Sequence, residues 1–139
     1  MSRLRRVALR LHGGGRFPDD LRALLAREGL ILLEEELFGV YRCRLPGAVS
    51  TRAFAGGVAV TGERLVVWTG RVARHLDVAH GHSLRRLVTV TADRPDRVVF
   101  CYDAGLFRPD RPGTREIRLR TPQARLLAEL LASFDEPVP

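Results

Sequence analysis

The amino-acid sequence predicts a mainly β fold of the α+β class, in which one C-terminal helix plugs a small β-barrel. Two observations support this prediction. Residues 56–68, GGVAVTGERLVVW, are typical of two short apolar strands joined by a tight polar turn. Several strand-like segments follow, and then one amphipathic helix, for which Thr121 is the expected cap and Pro122 the first helical residue. This order of elements predicts an architecture and contains no recognisable active site.

The length of 139 residues suits a single domain. By size scaling, such a chain hides roughly two thirds of its unfolded surface, enough for a core without a metal or a disulfide. The longest uncharged apolar run is far shorter than the ~20 residues that a membrane span needs. Arg10 and the glycines at 13–15 interrupt the N-terminal segment. We therefore expect a cytoplasmic protein with a basic arm at residues 1–16 and one domain at residues 17–139.

The net charge of +7 is unevenly distributed along the chain. Residues 1–16 carry five Arg and no acid, residues 37–74 carry six Arg and one acid, and residues 75–139 carry ten Arg and nine acids. All 23 basic residues are Arg, a bias that indicates genome composition more than phosphate binding. The arm is interpreted as a disordered terminus, an added edge strand, or a segment that lies on an anionic membrane.

Residues 17–28 predict a short amphipathic helix. Pro18 fits its first turn, two aspartates favour its positive end, and Gly29 ends it. The acidic run at 34–36 is expected to be a solvated entry into the first strand. The buried stripe of the helix is expected to consist of Leu21, Leu24 and Leu25.

The strands are predicted from alternation and from turn residues. In residues 37–45, Arg42 and Arg44 fall on one side of the strand, and Pro46-Gly47 ends it. The other side carries Leu37, Tyr41, Cys43 and Leu45. Further strands are expected at 50–54, on both sides of the turn 61–64, and at 72–77, 84–91, 97–102 and 115–120, with a long loop at 103–113.

The C-terminal helix has the clearest pattern. Leu127, Leu130, Leu131 and Phe134 recur at the spacing i, i+3, i+4, i+7 and therefore share one face. Since no other helix follows, this face is expected to cover the β-sheet.

The two cysteines, Cys43 and Cys101, lie far apart in strand-like segments and have no CxxC spacing. Two buried thiols are the expected arrangement, because a free cysteine packs as a small hydrophobe. A disulfide between neighbouring strands is the alternative.

Residues 37–134 resemble the pleckstrin-homology-like (PH-like) family, in particular its GRAM and bacterial branches. The hairpin GGVAVTGERLVVW, the turn TGR and the closing helix TPQARLLAELL carry this resemblance. It implies seven antiparallel strands in two roughly orthogonal sheets, forming a partly open barrel that the C-terminal helix caps. Members are mainly non-catalytic modules that bind anionic lipid headgroups or protein partners, so the fold alone does not select a function.

In lipid-binding members, basic residues on the first two strands hold the phosphates. The resemblance therefore implies ligand binding by Arg42 and Arg44, before the loop 46–50, and by Arg52 after it. The family usually places its basic-x-basic pair on the second strand, whereas this chain has that pair on the first. Solvated arginines on the outer side of a strand are the alternative interpretation.

Two other groups are candidate sites. Phe107, flanked by Arg108 and Arg111, is interpreted as a partner or membrane contact, or as a side chain tucked under its own loop. Imidazole and carboxylate groups within eight residues resemble a zinc or nickel site, but histidines in turns are commonly solvated, so we expect no metal and no cofactor. The residues of this second group are His75, Asp77, His80 and His82.

The sequence therefore predicts a non-catalytic PH-like binding or assembly module that engages a protein partner. Self-association is also expected, because partly open barrels leave sheet edges that need covering. The alternative is peripheral attachment to an anionic membrane through the arm and the early strands. Nucleic-acid binding is a minor alternative, since the sequence does not predict a basic sheet that carries exposed aromatic residues. An enzyme of unknown type is another, since no nucleophile with a neighbouring base is recognisable.

Overall fold

The structure is a computed structural model that describes residues 15–70, 76–107 and 113–135. Within these residues, seven antiparallel strands form one sheet in the order β4-β3-β2-β1-β7-β6-β5. The elements are α1 (Asp19–Glu28), β1 (Leu30–Leu45), β2 (Ala48–Thr61), β3 (Arg64–Trp68), β4 (Leu76–Ala79), a 3-10 helix (Ser83–Leu87), β5 (Thr89–Arg94), β6 (Arg97–Asp103), the single turn α2 (Ala104–Phe107), β7 (Thr114–Arg120) and α3 (Ala124–Asp135).

The sheet curls into a partly open barrel, and α3 closes it by packing against β5 and β6. Leu127 and Leu131 of α3 are fully buried in the same apolar cluster as Phe54, Phe100 and Ile117. This confirms the expected fold class, a mainly β barrel with a capping C-terminal helix. The core forms because apolar residues recur with the helical period on one face of α3 and at every second position on the inward side of the strands.

A second, smaller cluster lies on the other side of the sheet. There, Phe17 and Leu25 pack against Ala59 of β2 and Val66 of β3. Helix α1 thus covers the outer surface of these two strands. The helix is shorter than expected and begins after Pro18, and Leu24 does not join the stripe because it is 39% exposed.

The two long strands β1 and β2 form a hairpin that bends near its middle. The pairing register shifts between Glu34 and Leu37 of β1, and Glu36 has a positive φ of 59°. On β2, Gly56 lies so close to β3 that a Cβ there would overlap the carbonyl oxygen of Trp68. We call residues 30–34 and 57–61 the base half of this hairpin and residues 37–45 and 48–56 its tip half.

Several predicted strand boundaries were wrong. Residues 50–54 and 56–60 belong to one continuous strand, β2, and β1 begins already at Leu30. The segment 84–91 divides into the 3-10 helix and β5, because the His82 ring accepts a hydrogen bond from the Leu84 N–H and starts a turn. Of the strand expected at 72–77, residues 76 and 77 lie in β4, and residues 71–75 lie outside the described part.

The acidic run at 34–36 was expected to be solvated, and this prediction was wrong for Glu35. The Glu35 carboxylate accepts a hydrogen bond from the Phe17 N–H at 2.8 Å and pairs with Arg22 at 3.0 Å. It therefore fastens the start of the N-terminal helix to the bend in β1.

The cap of the C-terminal helix is confirmed. The Thr121 hydroxyl accepts a hydrogen bond from the Gln123 N–H at 3.1 Å, and Thr121 is 1% exposed. The helix itself begins at Ala124, so Pro122 precedes the helix instead of starting it. Its rigid φ fits this turn as well as a first helical position.

The cysteines form no disulfide, and both are half-buried instead of buried. Strand β7 lies between them: Cys43 is opposite Arg115, and Cys101 is opposite Glu116. Since Arg115 and Glu116 are adjacent on β7, the two thiols point to opposite faces of the sheet. The disulfide alternative is therefore wrong.

Candidate functional site

The turn end of the β1–β2 hairpin is exposed to solvent. Every residue from 48 to 52 is exposed. At the turn, Leu45 is 41% and Val49 is 61% exposed, although both are large and apolar. Gly47 has a φ of 77°, which the tight turn requires and which glycine adopts without strain. The hairpin therefore presents an apolar tip to the solvent.

The pairing register places the three predicted arginines on two different faces. Arg42 is opposite Thr51, whereas Arg52 is opposite Tyr41. Opposite residues of an antiparallel pair share a face, and neighbours along a strand alternate. Arg42 and Arg44 therefore lie on the outer face of the sheet, and Arg52 lies on the face that leads into the core.

The tip half is positively charged on both faces. Residues 39–56 contain three Arg and no carboxylate. The nearest acid across the ladder from Arg42 is Glu116 of β7, and this carboxylate pairs with Arg118. Within the described part of the chain, Arg42, Arg44 and Arg52 form no ion pair with a carboxylate. Among the described residues, no carboxylate therefore pairs with the charge of this hairpin end.

A cluster of polar side chains on the core face was not predicted from the sequence. Arg115 of β7 lies between Cys43 of β1 and Tyr102 of β6 and donates a hydrogen bond to the Cys43 sulfur at 2.6 Å. Burial raises the pKa of Tyr102; the nearby Tyr41 adds to this effect and Arg115 opposes it. Only the register reveals the cluster, because its members come from three strands that are distant in sequence.

One edge of β2 is unpaired along the tip half. Strand β3 pairs with β2 only from Gly57 to Val60. Gly56 still lies against the Trp68 carbonyl, and Phe54 and Ala55 are 0% exposed. Along residues 48–53, the described strands cover β2 from the β1 side alone. In an antiparallel ladder, alternate main-chain N–H and C=O groups point to each side of the strand. The tip half of β2 therefore presents main-chain donors and acceptors along an open edge.

The proposed metal ligands have separate structural contacts. Asp77 pairs with Arg64 at 2.7 Å, the His80 ring stacks on Phe134 with 3.8 Å between centroids, and His82 caps the 3-10 helix. His80 Nε2 also lies 2.9 Å from the Thr61 carbonyl oxygen. His75 is outside the described part of the chain, and the described residues contain no group of three His, Cys, Asp or Glu placed to hold a metal.

Arg64 joins the N-terminal helix to the base half of the hairpin. Its guanidinium pairs with Glu28 at 2.6 Å and with Asp77 at 2.7 Å. The hydrogen bond to Glu28 raises the pKa of Arg64, against the opposing effect of desolvation. Glu28 also accepts a hydrogen bond from the Thr61 hydroxyl at 3.2 Å. These carboxylates therefore have a structural role.

The second predicted contact region cannot be placed. Phe107 ends the helical turn α2, and its side chain, Arg108 and Arg111 lie outside the described residues. A partner or membrane contact at this loop stays a prediction. The basic arm lies outside the described residues as far as residue 14.

Comparison with known proteins does not identify a family. No protein-family model matches the chain, and no curated protein sequence matches it. Among the described helices, none has the length and the apolar composition that crossing a bilayer requires. The seven antiparallel strands and the capping helix agree with the fold that the PH-like resemblance implies, but the described strands form one continuous sheet where the resemblance implies two. Membership of the family stays a prediction.

Proposed function

We propose that this chain is a non-catalytic, PH-like binding module that engages a protein partner through the tip half of the β1–β2 hairpin. One observation supports this function above all: residues 48–52 are exposed on a strand that carries apolar side chains at its end, with Val49 61% exposed. Natural proteins usually protect an exposed edge strand with charges, proline, bulges or a covering element. A hairpin of this kind is therefore best explained as a surface that a partner covers.

The contacts of the ionisable groups favour a non-catalytic role. Glu28 and Asp77 are engaged by Arg64, and His80 is held between Phe134 and the Thr61 carbonyl. A catalytic acid or base needs a geometry in which a substrate proton can reach it. Carboxylates and imidazoles with these structural contacts do not provide that geometry.

Peripheral attachment to an anionic membrane is the second candidate, through the arm and the early strands. It is favoured by the combination of Leu45 and Val49 at the tip with Arg42 and Arg44 on the outer face. Apolar side chains with adjacent arginines can enter the headgroup region of an anionic bilayer. The same hairpin would then serve a lipid surface.

Photo-crosslinking distinguishes a protein partner from random contact. A photoreactive amino acid is introduced at Val49 of the full chain, or at Leu126 as a control. Leu126 is the matched position because it is 53% exposed on α3, outside the hairpin. In extracts of the source cells, we expect a discrete protein adduct at position 49 and none at position 126. No adduct at position 49, or identical adducts at both positions, would contradict the proposed function.

Vesicle flotation tests the membrane alternative. The full chain and the variants Val49→Glu and Leu126→Glu are mixed with vesicles of phosphatidylcholine and phosphatidylserine at low salt. We expect no flotation of any of the three proteins. Flotation that Val49→Glu abolishes and Leu126→Glu retains would replace the protein partner with an anionic membrane.

A further inference from the structure

We infer that the open edge of β2 accepts an acidic, extended segment of the partner as an added strand. This inference rests on the proposed function and specifies how the partner binds. Added strands obtain affinity from main-chain hydrogen bonds and specificity from alternate side chains. The tip half of β2 provides main-chain groups along an open edge and side chains that alternate between two faces.

The edge is long enough for such a strand. Residues 48–53 pair with β1 on one side and with no described strand on the other, whereas Phe54 and Ala55 are 0% exposed and Gly56 lies against the Trp68 carbonyl. At about 3.3 Å per residue, the edge from 48 to 53 extends for roughly 20 Å. A typical strand has about five or six residues, so the edge can hold a complete added strand without displacing β3.

The edge also lacks the features that usually protect an edge strand. Residues 48–55, AVSTRAFA, contain no proline and one charge, and the pairing of this segment with β1 has no register shift. The other two edges differ. Strand β4 has four residues, and β5 has an irregular register near Arg94 and is covered by α3. Among the described strands, β2 therefore has the least protected edge.

Charge favours an acidic partner over a second copy of the chain. Residues 39–56 contain three Arg and no carboxylate. Pairing two such hairpins edge to edge would bring together two positive segments that lack carboxylates, and like charges across a ladder are destabilising. Carboxylates on an incoming segment would instead meet guanidinium groups that pair with no described carboxylate.

The alternation of β2 predicts the pattern of the segment. On the core face of the edge lie Ser50 and Arg52, and on the outer face lie Val49 and Thr51. A strand added beside β2 places successive side chains on these two faces in turn. We therefore expect acidic residues on the side of Arg52 and β-branched apolar residues on the side of Val49.

A synthetic peptide tests this mode of binding on the full chain. The probe is a nine-residue peptide of alternating valine and glutamate. Its controls are the same peptide with lysine for glutamate and the same peptide N-methylated at every backbone nitrogen. We expect the glutamate peptide to bind and to slow hydrogen exchange at the amides of residues 48–53, with neither control binding. N-methylation removes the donors of the added strand and leaves the charges in place.

Charge reversal in the protein gives a matched comparison. Arg52→Glu is expected to weaken binding of the glutamate peptide roughly tenfold, because a charge pair across the interface becomes a repulsion. Arg125→Glu makes the same change in net charge at an exposed position of α3 and is expected to alter the affinity by less than about twofold. Both residues are exposed, and circular dichroism verifies that both variants fold.

Three results would overturn this inference. Equal binding of the glutamate peptide and its N-methylated analogue would mean that side chains, and not the strand edge, bind the peptide. A dimer by light scattering with protected amides at 48–53 and no peptide present would assign the edge to a second copy. If no peptide binds while the crosslink at position 49 forms, the added strand is wrong and the protein partner stands. If the crosslink fails as well, both proposals fail.

Discussion

The two halves of strand β2 differ in almost every property although they belong to one strand. In the base half, Val58, Ala59, Val60 and Thr61 are all 0% exposed. In the tip half, every residue from 48 to 52 is exposed. Strand β1 pairs with both halves, so the difference comes from the other neighbours. The base half has β3 at its edge and α1 on its outer face, whereas β3 reaches the tip half only at Gly56 and the described residues place neither element on residues 48–53.

The two halves of β2 differ in how many of their faces and edges other elements cover, and this coverage determines which residues each half tolerates. A strand that is covered on both faces consists of a continuous apolar run, and GVAV in the base half has this composition. A strand with one open face and one open edge tolerates polar residues, as AVSTR does in the tip half. One half therefore stabilises the fold, and the other is available for a partner.

The largest expected effect is at the boundary between the halves. Gly56→Ala would place a Cβ against the Trp68 carbonyl, and we expect a loss of at least about 3 kcal/mol in the free energy of unfolding. Gly62→Ala is the matched control, because a Cβ there meets nothing within 4 Å. Guanidinium unfolding of both variants measures the difference. Equal stabilities would show that the close approach of β2 to β3 is not needed.

One substitution made in each half compares them directly. Val60→Ala removes two methyl groups from a side chain that is 0% exposed, and we expect a loss of about 2 kcal/mol. Val49→Ala removes the same groups from a side chain that is 61% exposed, and we expect a change within about 0.5 kcal/mol. Urea unfolding measures both. Similar losses would mean that the tip half is packed as tightly as the base half.

The burial of Tyr102, which lies near Tyr41 of the tip half, is tested by the pH dependence of the free energy of unfolding. Burial raises the pKa of Tyr102 above its ordinary value of 10.0, so the unfolded chain releases this proton at a lower pH than the folded chain. Stability is therefore retained below pH 10 and falls above it by about 1.4 kcal/mol per pH unit. Unfolding at pH 9 and pH 11 measures this fall. Tyr102→Phe should reduce it; an unchanged fall would mean that Tyr102 is solvated.

The smallest expected effect concerns the link between α1 and the base half. Arg64→Met removes the pairing with Glu28 and Asp77, and we expect a loss of about 1 kcal/mol that decreases at high salt. Arg44→Met on the tip half is the control, because Arg44 is exposed and lacks a carboxylate partner in the described part of the chain. Thermal unfolding at low and high salt measures both variants. A larger loss for Arg44→Met than for Arg64→Met would mean that the arginine on the tip half stabilises the fold more than the one that pairs with Glu28 and Asp77.

Local signals in the sequence predicted several elements well. Thr121 and the spacing of Leu127 and Leu131 predicted the C-terminal helix and its buried face, because caps and amphipathic periods depend on residues within a few positions. Alternation also predicted the strand at 115–120, and β7 covers Thr114–Arg120 with Ile117 and Leu119 buried. The 3-10 helix was missed because a segment of five residues is too short to establish a helical period, although Leu84 and Leu87 lie three residues apart.

The candidate site was predictable only in part. The sequence identified Arg42, Arg44 and Arg52, but it did not separate them onto two faces, because this separation depends on how β1 and β2 are paired. Arg115 and Tyr102 were not identified as neighbours of Tyr41, since the sequence of one strand does not show which residues of another strand lie beside it. The open edge of β2 was equally hidden: the sequence does not show where β3 stops pairing.

The sequence by itself determined the kind of secondary structure, the class of the fold and the positive charge of the hairpin, since these follow from periodicity, turn residues and composition. Tertiary structure alone decided the close approach of Gly56 to β3, the pairing of Arg52 with Tyr41 and the length of the unpaired edge. The physical reason is that register, close approach of backbones and burial are properties of pairs of segments. They arise only when strands distant in the chain pack against each other.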